Sequence, residues 1–88
     1  MTNDLLTTAR AEALFSSSVT VGSHLTKGEL TAAVAQAIRR LGGTRGCAIA
    51  LAGAYGEFPE TAVPRMRWAL QQVRAAYPRA GTASVEKW

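Results

Sequence analysis

"LAGAYGEFPETAVPRMRWAL", Leu51 to Leu70, is the stretch whose reading decides the fold. Its first part is rich in small and apolar helix formers, Gly56 and Pro59 punctuate it, and Met66 and Leu70 then return at helical spacing. Two helices meeting at a glycine corner account for that pattern. Such a corner serves either of two purposes. A DNA-reading unit needs a tight turn so that its second helix can enter the major groove, and two helices of a small core need the same turn only to pack Leu51, Tyr55, Phe58, Met66 and Leu70 together.

The DNA reading has definite residues. Ala52 is the small residue at the helix contact, Gly56 the turn, and Thr61 and Ala62 the start of the second helix, a spacing that resembles the helix-turn-helix of bacterial regulators. In that arrangement Glu60, Thr61 and Arg65 face base edges, while Arg67, Arg45 and Arg39 are available to phosphates. Arg65 and Arg67 are then replaceable by alanine at little cost to stability. Pro64, in the middle of a recognition helix, and the negative charge of Glu57 and Glu60 argue the other way. Trp68, flanked by arginines in "RMRW", suits stacking on bases or anchoring a partner, and its phase puts it beside the exposed stripe Glu60, Arg67, Gln71 and Arg74. A flanking tryptophan in a small bundle more often covers the edge of the core with its ring.

Working outward, the last helix extends to about Tyr77, with Met66, Leu70, Val73 and Tyr77 on its inner face. That helix begins between Phe58 and Ala62; Pro59 suits a first helical turn, but Pro64 is tolerated best if Thr61 is the cap, because the first amides of a helix have no intrahelical partner, and that start is preferred. Upstream, Thr44 can cap a helix from about Arg45 to Tyr55 that Gly56 ends; its nearly continuous apolar content predicts the most buried element. Before it, Thr26 and Glu29 form a capping box and Leu25 and Leu30 a hydrophobic staple. The helix they start carries Leu30, Val34, Ala37, Ile38 and Leu41 on one face and closes on Arg39, Arg40 and Gly42-Gly43. A first helix, capped by Thr2 or Asn3 with Asp4 in its first turn, runs to about Phe15 with Leu6, Ala9, Ala13 and Leu14 inward. "SSSVTVGSHL" is a loop. The tail from Pro78 has no periodicity and reads as mobile, with Trp88 able to dock.

Eighty-eight residues allow one small core. Ten basic against six acidic side chains give a formal charge of +4, which permits a polyanion partner without demanding one. The single cysteine, Cys47, lies in the apolar run "GCAIALA" and reads as a buried, inert thiol. No apolar run approaches membrane-spanning length and the N-terminus lacks a secretory pattern, so the cytoplasm is expected.

The segments "EALFSS" and "AIRRLGGTRGCAIALAGAYGEFPETAVPRMRWA" together resemble a group of short, largely uncharacterised actinobacterial proteins that share an "ALF-S" segment, a "GC" helix start and "P-E-T-A-x-x-R-M-R-W". The resemblance covers most of the chain to about Leu70. It implies a high-GC Gram-positive origin and a free-standing domain, but no activity or site residue. This chain departs from that pattern at Gly53 and Tyr55.

No constellation for catalysis is present in the sequence. His24 stands alone in a serine-rich loop, with only Cys47 as a second soft ligand, too few for zinc. Ser16 to Ser18 lack a positioned base, and Gly42-Gly43 lacks the Lys and Ser of a phosphate loop. The expectation is therefore an all-α, four-helix compact domain over residues 1–77, its last two helices forming an angled helix-turn-helix-like corner, followed by the tail. We expect a small interaction or regulatory module, not an enzyme, without cofactor, metal, small-molecule substrate or membrane. Its partner is a protein or a second copy, met through Trp68, Arg67 and Arg74 or the loop Val19 to Leu25. The alternative is a dimeric DNA binder using the helix after Gly56.

Overall fold

The computed structural model describes residues 5–78 and is all-α. Its helices are α1 (Leu5–Phe15), α2 (Lys27–Leu41), α3 (Thr44–Glu57) and α4 (Pro59–Ala76). The expected caps Thr2 and Asn3, with Asp4, and the tail beyond Pro78, with Trp88, lie outside the described residues.

α2 forms as its sequence dictates. The Thr26 hydroxyl accepts from the Glu29 amide (3.1 Å) and the Glu29 carboxylate accepts from the Thr26 amide (2.9 Å), so two orphan donors are satisfied reciprocally. At the other end Gly42 takes the left-handed conformation (φ 81°), and the Gly43 amide donates to Ile38 O (2.8 Å). The chain then turns directly into α3. Thr44 is not the cap of that helix but its first residue; Gly43 occupies the cap position, without a side-chain bond. The turn is so close that a Cβ on Gly46 would stand 1.9 Å from Leu41 O, so any side chain here forces the backbone to shift.

The corner between α3 and α4 differs from the expected one. α3 passes through Gly56 to Glu57, and Phe58 closes it by donating its amide to Ala54 O (2.7 Å). Gly56 is not among the glycines with positive φ, so it makes no turn. α4 starts two residues before the expected cap, because Pro59, with φ preset for a helix and no amide to satisfy, takes the first position. Phe58 O accepts from the amides of Thr61 (3.1 Å) and Ala62 (2.9 Å) and from the Thr61 hydroxyl (3.2 Å). Pro64 consequently lies inside the helix on an exposed stretch, where water can serve the carbonyl it leaves without a donor. The link between the two helices is thus Phe58 alone, shorter than the three- or four-residue turn usual in DNA-reading corners.

The centre of the molecule is α1, which packs against each of the other three helices and most extensively on α4. Ala11, Leu14 and Phe15 join Leu30 of α2 and Ala62, Trp68, Ala69 and Val73 of α4 in the main core, and Ala13 meets Ala37 and Cys47 in a second cluster. Small residues along α1 let three neighbours close on it. The inward face expected for α1 is therefore shifted: Thr7 and Ala11 are buried, and Leu6 is exposed. α3 is not the most buried helix either. Of its residues only Cys47 is buried, because its apolar character comes mostly from Ala and Gly, which gain little by burial.

Candidate interaction surfaces

One stripe of α4 is committed to the fold. Arg65, Trp68 and Gln72 are spaced three and four apart and point at the α1–α2 connection. The Arg65 guanidinium donates from Nε to Phe15 O (2.8 Å) and from Nη2 to Ser17 O (2.9 Å), capping the carbonyl end of α1 with a positive charge. Trp68 Nε1 donates to Ser23 O (2.9 Å), and Gln72 Oε1 accepts from the Leu25 amide (3.0 Å). α2 adds Arg40, whose Nη2 donates to Ser16 O (2.5 Å). The serine-rich loop is thus held along its length by side chains that reach back to it.

Two of the candidate contact residues turn inward. Trp68 is buried, 6% exposed, its indole covering the core edge with the Arg65 guanidinium 5.1 Å from the ring centre. Arg65 is half-buried, and desolvation pulls its pKa down from the ordinary guanidinium value. Neither presents a free recognition group. Arg and Trp drew attention because interfaces use them; Arg65 lies three residues after Ala62 and four before Ala69, both in the core, and that spacing was the signal that it turns inward.

The remaining candidates do face outward. Glu60, Thr61, Arg67, Gln71 and Arg74 are exposed along the outer side of α4, as are Arg39 and Arg45 elsewhere; Thr61 spends its hydroxyl on Phe58 O. At the far end of α4, Tyr77 is gripped by α1 and α2: Arg10 stands 3.6 Å and Lys27 4.8 Å from its ring centre, and its hydroxyl hydrogen-bonds Thr31. Cys47 is buried, and desolvation, reinforced by Glu12 and opposed by Arg40, pushes its thiol pKa upward. Among the described residues no group of His, Cys, Asp or Glu is placed to hold a metal, and no helix is long and apolar enough to cross a membrane.

The surface that the sequence reading missed is the outer side of α3. Taking Cys47 as the inward position, a turn of 100° per residue puts Arg45, Ile49, Ala52, Gly53 and Gly56 on the opposite side; Arg45, Ile49, Ala52, Gly53 and Gly56 are all exposed. Ile49 is 63% exposed. From Gly46 to Gly56 there is no charged residue, and the corner that follows adds Phe58, 59% exposed. Solvent-facing sides of surface helices are ordinarily charged, as that of α4 is. Gly53 and Gly56, which cost helix stability and meet nothing in their own chain, were the available signal.

No protein-family model, curated protein or solved structure matches the chain. What the protein does must therefore be read from these two unlike surfaces, the charged side of α4 and the uncharged side of α3.

Proposed function

We propose that this chain is a small interaction module that works by binding another protein surface and carries out no catalysis, with the outer side of α3 as its contact. The observation that carries this reading is Ile49, a large apolar side chain 63% exposed on a helix face that carries no charge between Gly46 and Gly56. Covering that face removes apolar area from water at roughly 25 cal/mol per Å². Arg67, Gln71 and Arg74 on α4 are exposed polar side chains that suit water and need no partner surface.

DNA binding by α4 has less support. Of the residues it needs, Arg65 is bonded to α1 carbonyls and the corner glycine is helical, which leaves Arg67, Gln71 and Arg74 outward beside Glu60. Anisotropy of a labelled mixed duplex in low and moderate salt tests it: phosphate neutralisation gives binding that falls steeply with salt, and our reading expects no binding.

A photoreactive phenylalanine analogue at Ile49, in the cells that naturally produce the protein, tests the interaction module. Illumination should give a discrete protein adduct at Ile49 and none at Gln36, which is exposed on α2. Equal labelling at both positions, or at neither, would remove the support for α3 as the contact.

A further inference from the structure

We infer that the partner of the α3 face is a second copy of this chain, paired antiparallel about a twofold axis that crosses the outer side of α3 at the level of Leu51. This rests on the interaction reading above and goes further by naming the occupant. A heterologous partner would need no internal symmetry in the face, whereas a twofold pair of helices demands that residues equidistant from one centre complement each other.

The face meets that demand twice with one centre. Ile49 and Gly53 lie equally far on either side of Leu51, so the pairing sets the exposed Ile49 side chain of each copy over Gly53 of the other. There the absence of a Cβ leaves room: nothing in its own chain comes within 4 Å of where a Cβ would stand. Arg45 and Glu57, the charged residues that bound the uncharged run, are equally spaced about the same Leu51 and are both exposed. The antiparallel register brings Arg45 of each copy to the end where the other copy's Glu57 lies; a parallel pair would set like charges together.

Charge also selects the face. Each chain carries a formal +4, so two copies repel wherever their basic sides meet, as they would through Arg67 and Arg74 of α4. The α3 face carries Arg45 at one end and is flanked by Glu57 at the other, so it has no net charge to oppose approach. Small residues at Ala52, Gly53 and Gly56 let the two helix backbones come close, and the bulky contribution comes from Ile49 rather than from the small residues themselves.

Sedimentation equilibrium of the full chain at low salt, on the wild type and on substitutions of exposed residues, tests the pairing. The wild type should move from one chain to two as concentration rises. Arg45→Glu or Glu57→Arg alone should weaken association about tenfold, and the two together should restore it. Gly53→Leu has open space in its own chain and improves helix propensity, so it keeps the fold, checked by circular dichroism, while abolishing the dimer. A wild type that stays monomeric overturns the proposal, as does a Gly53→Leu dimer of unchanged strength or a double charge swap no tighter than the single ones. A monomer whose Ile49 adduct has the mass of another protein ends self-pairing and leaves the interaction module standing; a monomer with no adduct ends both.

Discussion

Arg65 and Arg67 sit two residues apart in the same helix and do unlike things. Arg65 serves two carbonyls at the end of α1, so Arg65→Ala should destabilise the domain by about 2 kcal/mol, the scale of charged hydrogen bonds lost from a partly buried site. Arg67 is exposed on the outer side of α4, and Arg67→Ala should change stability by less than about 0.5 kcal/mol. Urea denaturation of both variants checks the contrast, and equal effects would contradict the capping role. Cys47 gives a pH prediction. Its thiol pKa is raised in the fold above the ordinary 9.0, chiefly by burial. Its neutral thiol is therefore fully compatible with the fold below that value. As pH rises past it, the unfolded chain ionises while the native thiol stays protonated, so native stability falls. Chemical denaturation of the wild type and Cys47→Ala from neutral pH upward should show this extra loss in the wild type alone.

At the scale of elements, the turn from α2 to α3 is the tightest joint. Gly46→Ala would push a Cβ to 1.9 Å from Leu41 O, and the required backbone shift should cost about 1–3 kcal/mol, read as a lower melting temperature with helical content retained. Gly28→Ala, where nothing lies within 4 Å, is the control and should not destabilise. How legible these elements were in the sequence followed from how local their causes are. α2 was readable to its ends because Thr26, Glu29 and Gly42 act within a few residues of themselves. The start of α4 was misplaced because Thr61 looked like a cap, whereas the chain's real boundary is set by Pro59 and by Phe58 O gathering the amides. The burial of α3 was misjudged because apolar content does not say which helix lies between the others. That place falls to α1, whose small residues admit three neighbours, and such packing is a tertiary outcome invisible to periodicity. Trp68 shows both sides: its ring as core cover was readable, but its partner, Ser23 O, lies across a loop that no local rule connects to it.

At the scale of the whole molecule, three helices pack around α1, and the outer sides of α3 and α4 differ in character. The charged side of α4 suits water; the largely apolar outer side of α3, with Ile49 exposed on it, faces water at a cost that the proposed second copy would remove. Gly53 makes that trade visible in one residue. Alone it weakens α3, by about 1 kcal/mol relative to alanine, and in the proposed pair it would receive Ile49 of the second copy. The most direct measurement is the melting temperature of wild type and Gly53→Ala as a function of protein concentration, since a ligand or partner that binds only the folded state raises it by mass action. When dilute, Gly53→Ala should melt several degrees higher, about 4–8 °C for a gain of 1 kcal/mol in a domain of this size. As concentration increases, the wild type should climb and close the gap while the variant stays nearly flat. A wild-type melting temperature independent of concentration, parallel to that of Gly53→Ala throughout, would contradict the pairing of two copies through α3.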